Sequence, residues 1–581
     1  MKNYDRINAH KPEEIENKKA YIVGGGIAGL TATAFLIEDG YMPGKNITIL
    51  EQLPIVGGSM DGGGNARDGY VSRGERQLEP WMECLWYLYG KVPSLKDPTR
   101  TVLEETRECN QKVPIYSHYR LTENCFDKRD TSTLGLSKED IKDMNRMILT
   151  PEEEIQNLKI DEWFKPKFFK SNLWYLWSSM FAFQAYHSLI ELRRYTVRFI
   201  QHLSGIDHLQ GILHTKYDQY HSLILPLTNW LESKGVNFIT DVTVTDLDFT
   251  VGKSDKSVKT IYYDCKKGLK QINVGNGDLV FVTNGSMTQN TSRGSMTSAP
   301  VRNDDSEKRG CFTLWEQLAK KDPCFGKPVK FLAGNDKTFW ISYTLTITDY
   351  PELFDYIEHT TGNKPGTGGV ITMVDSAWFI SINVPMQPLF PDQPKNVQVL
   401  WGYGLHSMEV GDYVNQPMFE CTGEEIIKEL LYHLRLQEKI EEIVPYCNCI
   451  PTTMPYITSQ FMPRANGDRP HVLPLGYFNL AFIGQFVELP GDAVFTVETS
   501  VRTAMMAVYG LLKLDKPVIP LFTGQYDVRI LMACMKKILG TNELTKDDLP
   551  IINPFKLPGI INKLLNGLNS VPEMKEDEIN Y

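Results

Sequence analysis

The 581-residue chain has no continuous apolar run long enough to cross a bilayer, so no transmembrane helix is expected. Its first residues, MKNYDRINAHKPEEIENKK, carry no apolar signal core, and a cytoplasmic location is the expectation. Long basic runs are absent and the net charge is −10, which argues against nucleic acid as a partner. Cysteine is sparse: ten in the whole chain, with only Cys447 and Cys449 close together. No Cys-x-x-Cys pair or zinc-type spacing occurs, so no metal is expected and the thiols read as reduced and mostly buried. What is present is ordinary for a globular protein, 42% hydrophobic and 23% charged. The length is too great for one core and implies two or more domains. Aromatic residues crowd positions 160–200, which fits either a packed core or the lining of a long apolar cavity.

The clearest signal is KKAYIVGGGIAGLTATAFLIEDG. Ala20–Val23 reads as a buried strand, and residues 30–37 as a helix. Between them Gly24, Gly26 and Gly29 form a G-x-G-x-x-G turn, with Ala28 inside it. Such glycines let backbone approach a pyrophosphate at a helix N-terminus. The next strand, NITILE, ends in Glu51, where a carboxylate can accept from a ribose. A second glycine cluster follows in QLPIVGGSMDGGGN, bringing Gln52, Gly58 and Ser59 to the same edge. This order resembles the disulfide-reductase-like flavoproteins, in which that loop lies along FAD. In that group's pattern GVNFITDVTVTDLDF (235–249) reads as paired strands with Val244 at the adenine. DLVFVTNGSMT returns the chain to the nucleotide at Ser286. The late strand–turn–helix around PGDAVFTVETS places Thr496 and Ser500 at a helix N-terminus facing the cofactor. No second G-x-G-x-x-G appears, so a bound NAD(P) domain is not indicated. The expected fold is α/β: a Rossmann-like, glutathione-reductase-type FAD domain from 1–75, 215–300 and 470–514. An inserted α+β substrate domain takes 76–214 and 301–469, and a helical segment takes 515–581.

Several long motifs, in order along nearly the whole chain, carry a closer resemblance. KPEEIENKKAYIVGGGIAGL, FAFQAYHSLIELRRYTVRF, VFVTNGSMT, CTGEEIIKELLYHL, MPYITSQFMPRANGDRP and VFTVETSVRTA are similar to the oleate hydratases, once called myosin-cross-reactive antigens. The resemblance implies FAD, a free unsaturated fatty acid of the oleate or linoleate type as substrate, hydration of its cis double bond, and a homodimer. Hydration is not a redox reaction, so the flavin is expected to act by structure and charge.

The same resemblance gives VSRGERQLEPWMECLW a role as the bridge between flavin and substrate. Arg73, Gly74, Arg76 and Glu79 match the family pattern. Glu75 stands where the family has glycine, Leu78 where it has methionine, and Gln77 where it has its catalytic glutamate. A carboxylate can take a proton from water, whereas an amide can only position it. Three readings stay open: Glu75 or Glu79 serves instead, the enzyme is slow or altered, or Gln77 is a Glu→Gln exchange made to trap a complex. Without the family match, a surface salt-bridge cluster would be the default.

Residues 183–203 read as one helix with His187, Glu191 and Tyr195 on a slowly drifting stripe. The resemblance makes Tyr195 the acid that protonates the alkene; the residues alone would make it a packed core ring. His187 and Glu191 read as supports. At the expected carboxylate grip, SINVPMQPLF keeps Asn383 and Gln387 as polar candidates, while Pro385 and Leu389 offer no side-chain donor. Residues 555–568 form an amphipathic stripe with Lys556 and Lys563, fitting either a membrane interface or a cap on the protein's own core. The competing functions are a flavin-dependent double-bond isomerase or oxidoreductase, and a flavin-containing protein that binds fatty acid with little turnover.

Overall fold

The run Ala20–Val23 has no polar alternation, as a strand covered on both faces requires. In the computed structural model it is the central strand of a five-stranded parallel sheet. The order is Leu480–Ile483, Leu279–Thr283, Ala20–Val23, Ile47–Leu50, Asn237–Ile239. The described residues are 4, 7–74, 76–251, 256–303, 310–332, 335–494 and 496–543. Register sets Val23 opposite both Leu50 and Val282, so the carboxyl ends of these strands finish level. The helices Ile27–Glu38 and Val497–Leu512 pack on each other beside this sheet.

A second sheet has eight strands in the order Ser292–Arg293, Cys447–Met454, Trp340–Thr348, Val397–Gly404, Ile380–Asn383, Val370–Met373, Leu121–Glu123, Asp127–Lys128. All its pairings are antiparallel except Val370–Met373 beside Leu121–Glu123. The hairpin Gly62–Asn65/Gly69–Ser72 ties the nucleotide end to it. The Tyr70 and Ser72 amides donate to Thr346 Oγ1 at 2.9 Å and Thr344 Oγ1 at 3.0 Å.

The α/β class and the Rossmann-like sheet agree with the sequence reading. All five parallel strands fall within 1–75, 215–300 and 470–514. Packing blurs the edges of that division. Ser292–Arg293 already pairs in the second sheet, and Leu85, Leu314 and Leu318 pack into the core of the first. Residues 235–249 are not a pair of strands to each other. Asn237–Ile239 joins the parallel sheet, Asp241 turns the chain with φ +56°, and Val242–Val251 pairs with Lys256–Cys265 elsewhere. The helix expected over 183–203 is shorter, Leu189–Arg198, followed by a 3₁₀ segment Ile200–Gly205. His187 lies ahead of it because its Nδ1 accepts from the Gln184 amide at 2.9 Å and closes a turn.

After Leu512 the chain forms the helix Val528–Leu539 against Ile200–Gly205. Cys534 Sγ donates to the Ile200 carbonyl at 3.1 Å, and Lys537 meets Asp207 at 2.6 Å. The stripe at 555–568 lies outside the described residues. Among the described residues no helix is long and apolar enough to cross a membrane.

Candidate functional site

The carboxyl edge of the parallel sheet opens onto a cavity of about 320 Å³. Gly24 leaves its strand with φ +101°, a conformation L side chains rarely adopt. Gly26 caps the helix Ile27–Glu38, and an added Cβ there would meet nothing nearer than Gly58 Cα at 3.7 Å. Its bareness therefore serves whatever fills the cavity. Gly29 does not line the cavity: a Cβ would stand 2.0 Å from the Gly24 carbonyl oxygen, so it lets helix and strand close together. Buried Glu51 accepts from the Gly25 amide at 2.6 Å and the Leu53 amide at 2.8 Å, and burial pulls its carboxyl above the usual range. It ties the glycine turn together first, and only its remaining lone pairs are left for a ribose.

Ala28, Gln52, Gly58, Ser59, Arg76, Val244, Ser286 and Ser500 all line this cavity. Thr496 does not. Its side chain accepts from the Thr499 amide at 3.1 Å to cap the helix Val497–Leu512, and it faces the neighbouring chamber. The wall carries open polar groups that want a ligand: Thr283 Oγ1 and Asn290 Nδ2 are buried without a protein partner. Asp61 is taken by Arg73 at 2.5 Å, and no carboxylate pairs with Arg76 among the described residues. Burial, with Arg73 beside it, pulls Arg76 down to about 10, which leaves it cationic. A glycine-lined edge, a helix N-terminus and a spare cation fit an anionic dinucleotide.

Arg73 and Arg76 line this cavity, and residues 76–79 lead from it into two further spaces. Arg76, Gln77, Leu78 and Glu79 line a chamber of about 100 Å³ walled by Phe181, Phe199, Trp340, Trp401 and Tyr403. Gln77 also lines a small space beside Asn383, Pro385, Met386 and Leu389. Leu78 fixes the path by exchanging backbone bonds with Leu213 at 2.9 and 2.8 Å. The chamber is aromatic yet not wholly apolar: the indole N–H groups of Trp340 and Trp401 are buried without a partner. Glu75 lies outside the described residues.

Tyr195 is fully buried behind the chamber wall. Its ring packs edge-on to Phe181 at 5.0 Å and tilts against Phe199 at 5.6 Å, and both of those rings face the chamber. One turn back, Glu191 meets Arg464 at 2.7 Å and Arg469 at 3.1 Å. Burial alone would raise its carboxyl; the two arginines outweigh burial and hold it at about 2. Burial takes His187 down to about 3. Neither side chain lines the chamber.

At the third space Asn383 is buried and lines the cavity. Gln387 is not available there. Its amide donates to the carbonyls of Pro385 and Val399, both at 2.9 Å, and accepts from Gln393 at 2.7 Å and the Val399 amide at 3.1 Å. It holds its own loop, which corrects its expected place beside the substrate. Sequence reading also missed the partners of Glu79. Arg198 Nη1 lies 3.0 Å and His202 Nε2 2.6 Å from its carboxylate, and Gln201 donates to it at 3.1 Å. Burial would raise that carboxyl; Arg198 and His202 hold it below its usual range.

Fold and cavity together place the chain in the Rossmann-type dinucleotide-fold class. A solved structure of putrescine oxidase shares the architecture with a TM-score of 0.50 and 13% identity, over 85% of this chain and 99% of that one. Within the class the chain belongs to the MCRA family, whose profile matches residues 17–509. An oleate hydratase of Streptococcus pyogenes serotype M49 (strain NZ131) is 40% identical over 97% of this chain and 96% of that protein. A linoleate hydratase of Lactiplantibacillus plantarum is 32% identical over 84% and 93%. The family read from the motifs is thereby borne out.

Proposed function

We propose that the protein binds FAD and adds water to a cis double bond of a free unsaturated fatty acid. The observation that carries this reading is the path of Arg76–Glu79, which links the dinucleotide cavity to an aromatic chamber through shared residues. The relatives named for oleate and linoleate hydration support the substrate class. FAD supplies shape and charge at the Arg76 end of the chamber, since hydration moves no electrons. The chain's own residues do the rest. Aromatic walls exclude bulk water and can stabilise a developing carbocation. Family likeness makes Tyr195 the proton donor to the alkene; it stands behind Phe181 and Phe199, which must shift to let its hydroxyl reach the chamber. Gln77 and the unpartnered indole N–H groups of Trp340 and Trp401 hold the attacking water in an otherwise apolar space. The carboxylate end lies toward Asn383, with Lys216 as the cation lining the same space.

The test is mass spectrometry of products from a panel of unsaturated fatty acids with the flavin reduced beforehand. Hydration adds one water, isomerisation adds nothing, and oxidation removes hydrogen. Gln77 is the specific feature favouring the second reading, an isomerase or a slow binder, because an amide cannot take up a proton. An unchanged substrate mass across the panel would select it.

A further inference from the structure

Beneath the helix Val528–Leu539 lies a polar cavity of about 650 Å³. Trp81, Gln201, His202 and Gln210 line its inner side, and Arg529, Lys536 and Lys537 its outer side. Two contacts join it to the aromatic chamber, both at Glu79 Oε2: Gln201 Nε2 at 3.1 Å and, shorter, His202 Nε2 at 2.6 Å, with Glu79 and His202 both buried. We propose that Glu79 is the proton acceptor of the chamber and that His202 compensates it by exchanging a proton with the polar cavity. This rests on the hydratase reading.

The chemistry of addition requires the attacking water to lose a proton. Gln77 has no basic site. Tyr403 donates to the Ser179 carbonyl, and burial pushes its phenol up to about 12. Glu79 is the carboxylate among the described residues that line the chamber. Its partner is arranged for charge exchange. Both nitrogens of His202 face acceptors, Glu79 on one side and the Gln210 carbonyl at 3.4 Å on the other. A doubly protonated ring satisfies both, and its Nδ1 side is the one turned toward a residue of the polar cavity. The surrounding charges are largely engaged elsewhere: Arg198 also pairs with Asp492 at 3.2 Å, Lys537 with Asp207 at 2.6 Å and Arg529 with Asp527 at 2.8 Å.

In the hydration direction the water oxygen bonds to carbon, one of its O–H bonds breaks, and that proton goes to the Glu79 carboxylate. The imidazolium releases its Nδ1 proton to water in the polar cavity, so the buried pair keeps the same net charge. The neighbouring carbon gains its proton from Tyr195. Glu79 then returns its proton to the phenolate while His202 regains one from the cavity. One water is consumed, with no electron or net proton left over. Keeping the pair's charge constant avoids leaving an uncompensated charge buried between the two spaces.

The experiment compares the parent with His202→Gln, His202→Ala and Glu79→Gln, reading hydrated product with kcat and KM separated. Glutamine at 202 keeps a donor to Glu79 but has no proton to release. His202→Gln is expected to lower kcat by about 10²–10⁴, the usual weight of acid–base participation, with KM little changed. Glu79→Gln should lose at least as much. In His202→Ala, added imidazole can enter through the polar cavity and should restore part of kcat. Parent-level kcat in His202→Gln would reduce His202 to a prop and overturn the proposal. So would a folded His202→Ala that imidazole does not help. If the parent adds no water to any fatty acid, the hydratase reading fails and takes the pair with it; if the parent hydrates and His202→Gln equals it, the pair alone fails.

Discussion

Around the dinucleotide cavity the decisive contacts are made by backbone: three glycines, a helix N-terminus, and a glutamate that binds amides. Around the aromatic chamber they are made by side chains from distant parts of the chain: Glu79 with Arg198 and His202, and Tyr195 among phenylalanines. The two spaces share Arg76 but depend on different physics. The first is set by local turn geometry. The second is set by buried charge and close packing, where one lost partner leaves a stranded ion or a gap.

Tyr195→Phe tests the side-chain region most sharply. It keeps the ring packing and removes the proton, so turnover should fall by about 10²–10⁴ while fatty-acid binding, read by calorimetry, persists. Unchanged turnover would make Tyr195 a core ring. Glu191→Ala should cost about 3–5 kcal/mol in urea unfolding, because Arg469 would stay buried without its carboxylate and Arg464 would keep only Glu488 at 2.8 Å. In the backbone region, Gly29→Ala should cost about 1–3 kcal/mol or more, since its Cβ meets a carbonyl oxygen at 2.0 Å. Gly26→Ala should unfold like the parent yet lose flavin on dialysis. Equal flavin retention in Gly26→Ala and the parent would break the assignment of that edge.

His187 gives a smaller, pH-dependent effect. Burial lowers its folded value from 6.5 to about 3, so the unfolded chain takes up the proton first. Its contribution is present above about pH 6.5 and is lost as pH falls toward 3, at no more than about 1.4 kcal/mol per pH unit. His187→Gln should flatten the unfolding free energy across that window. The smallest effect is expected at Gln77. If Glu79 already accepts the proton, Gln77→Glu should change hydration less than about tenfold, well under the 10²–10⁴ that a newly supplied base brings.

The backbone region was legible in the sequence because its parts are neighbours. Gly24, Gly26 and Gly29 stand within one turn and Glu51 closes the next strand, and the late helix announces itself with Gly491 and Thr496. Even so, Thr496 was read toward the wrong space, since capping turns its hydroxyl onto its own helix. The side-chain region was legible only through family likeness. Nothing near Glu79 in the chain points to Arg198 or His202, and the tie of Gln387 to Gln393 and Val399 looks, in sequence, like a free amide. The end of the long helix at His187 was hidden because an imidazole accepting a backbone hydrogen bond leaves no trace in hydrophobic periodicity.

The parallel sheet also dictates an order of events during synthesis. Ala20–Val23 leaves the ribosome early, but one flank waits for Leu279–Thr283, and that strand waits in turn for Leu480–Ile483. At about 5–20 residues per second, the stretch from residue 23 to residue 480 takes roughly 20–90 seconds. Throughout that interval the glycine turn sits beside an exposed, incompletely paired sheet. Dinucleotide capture is therefore a late step of biogenesis, and nascent chains stalled before residue 480 should be targets for chaperones and should carry no cofactor.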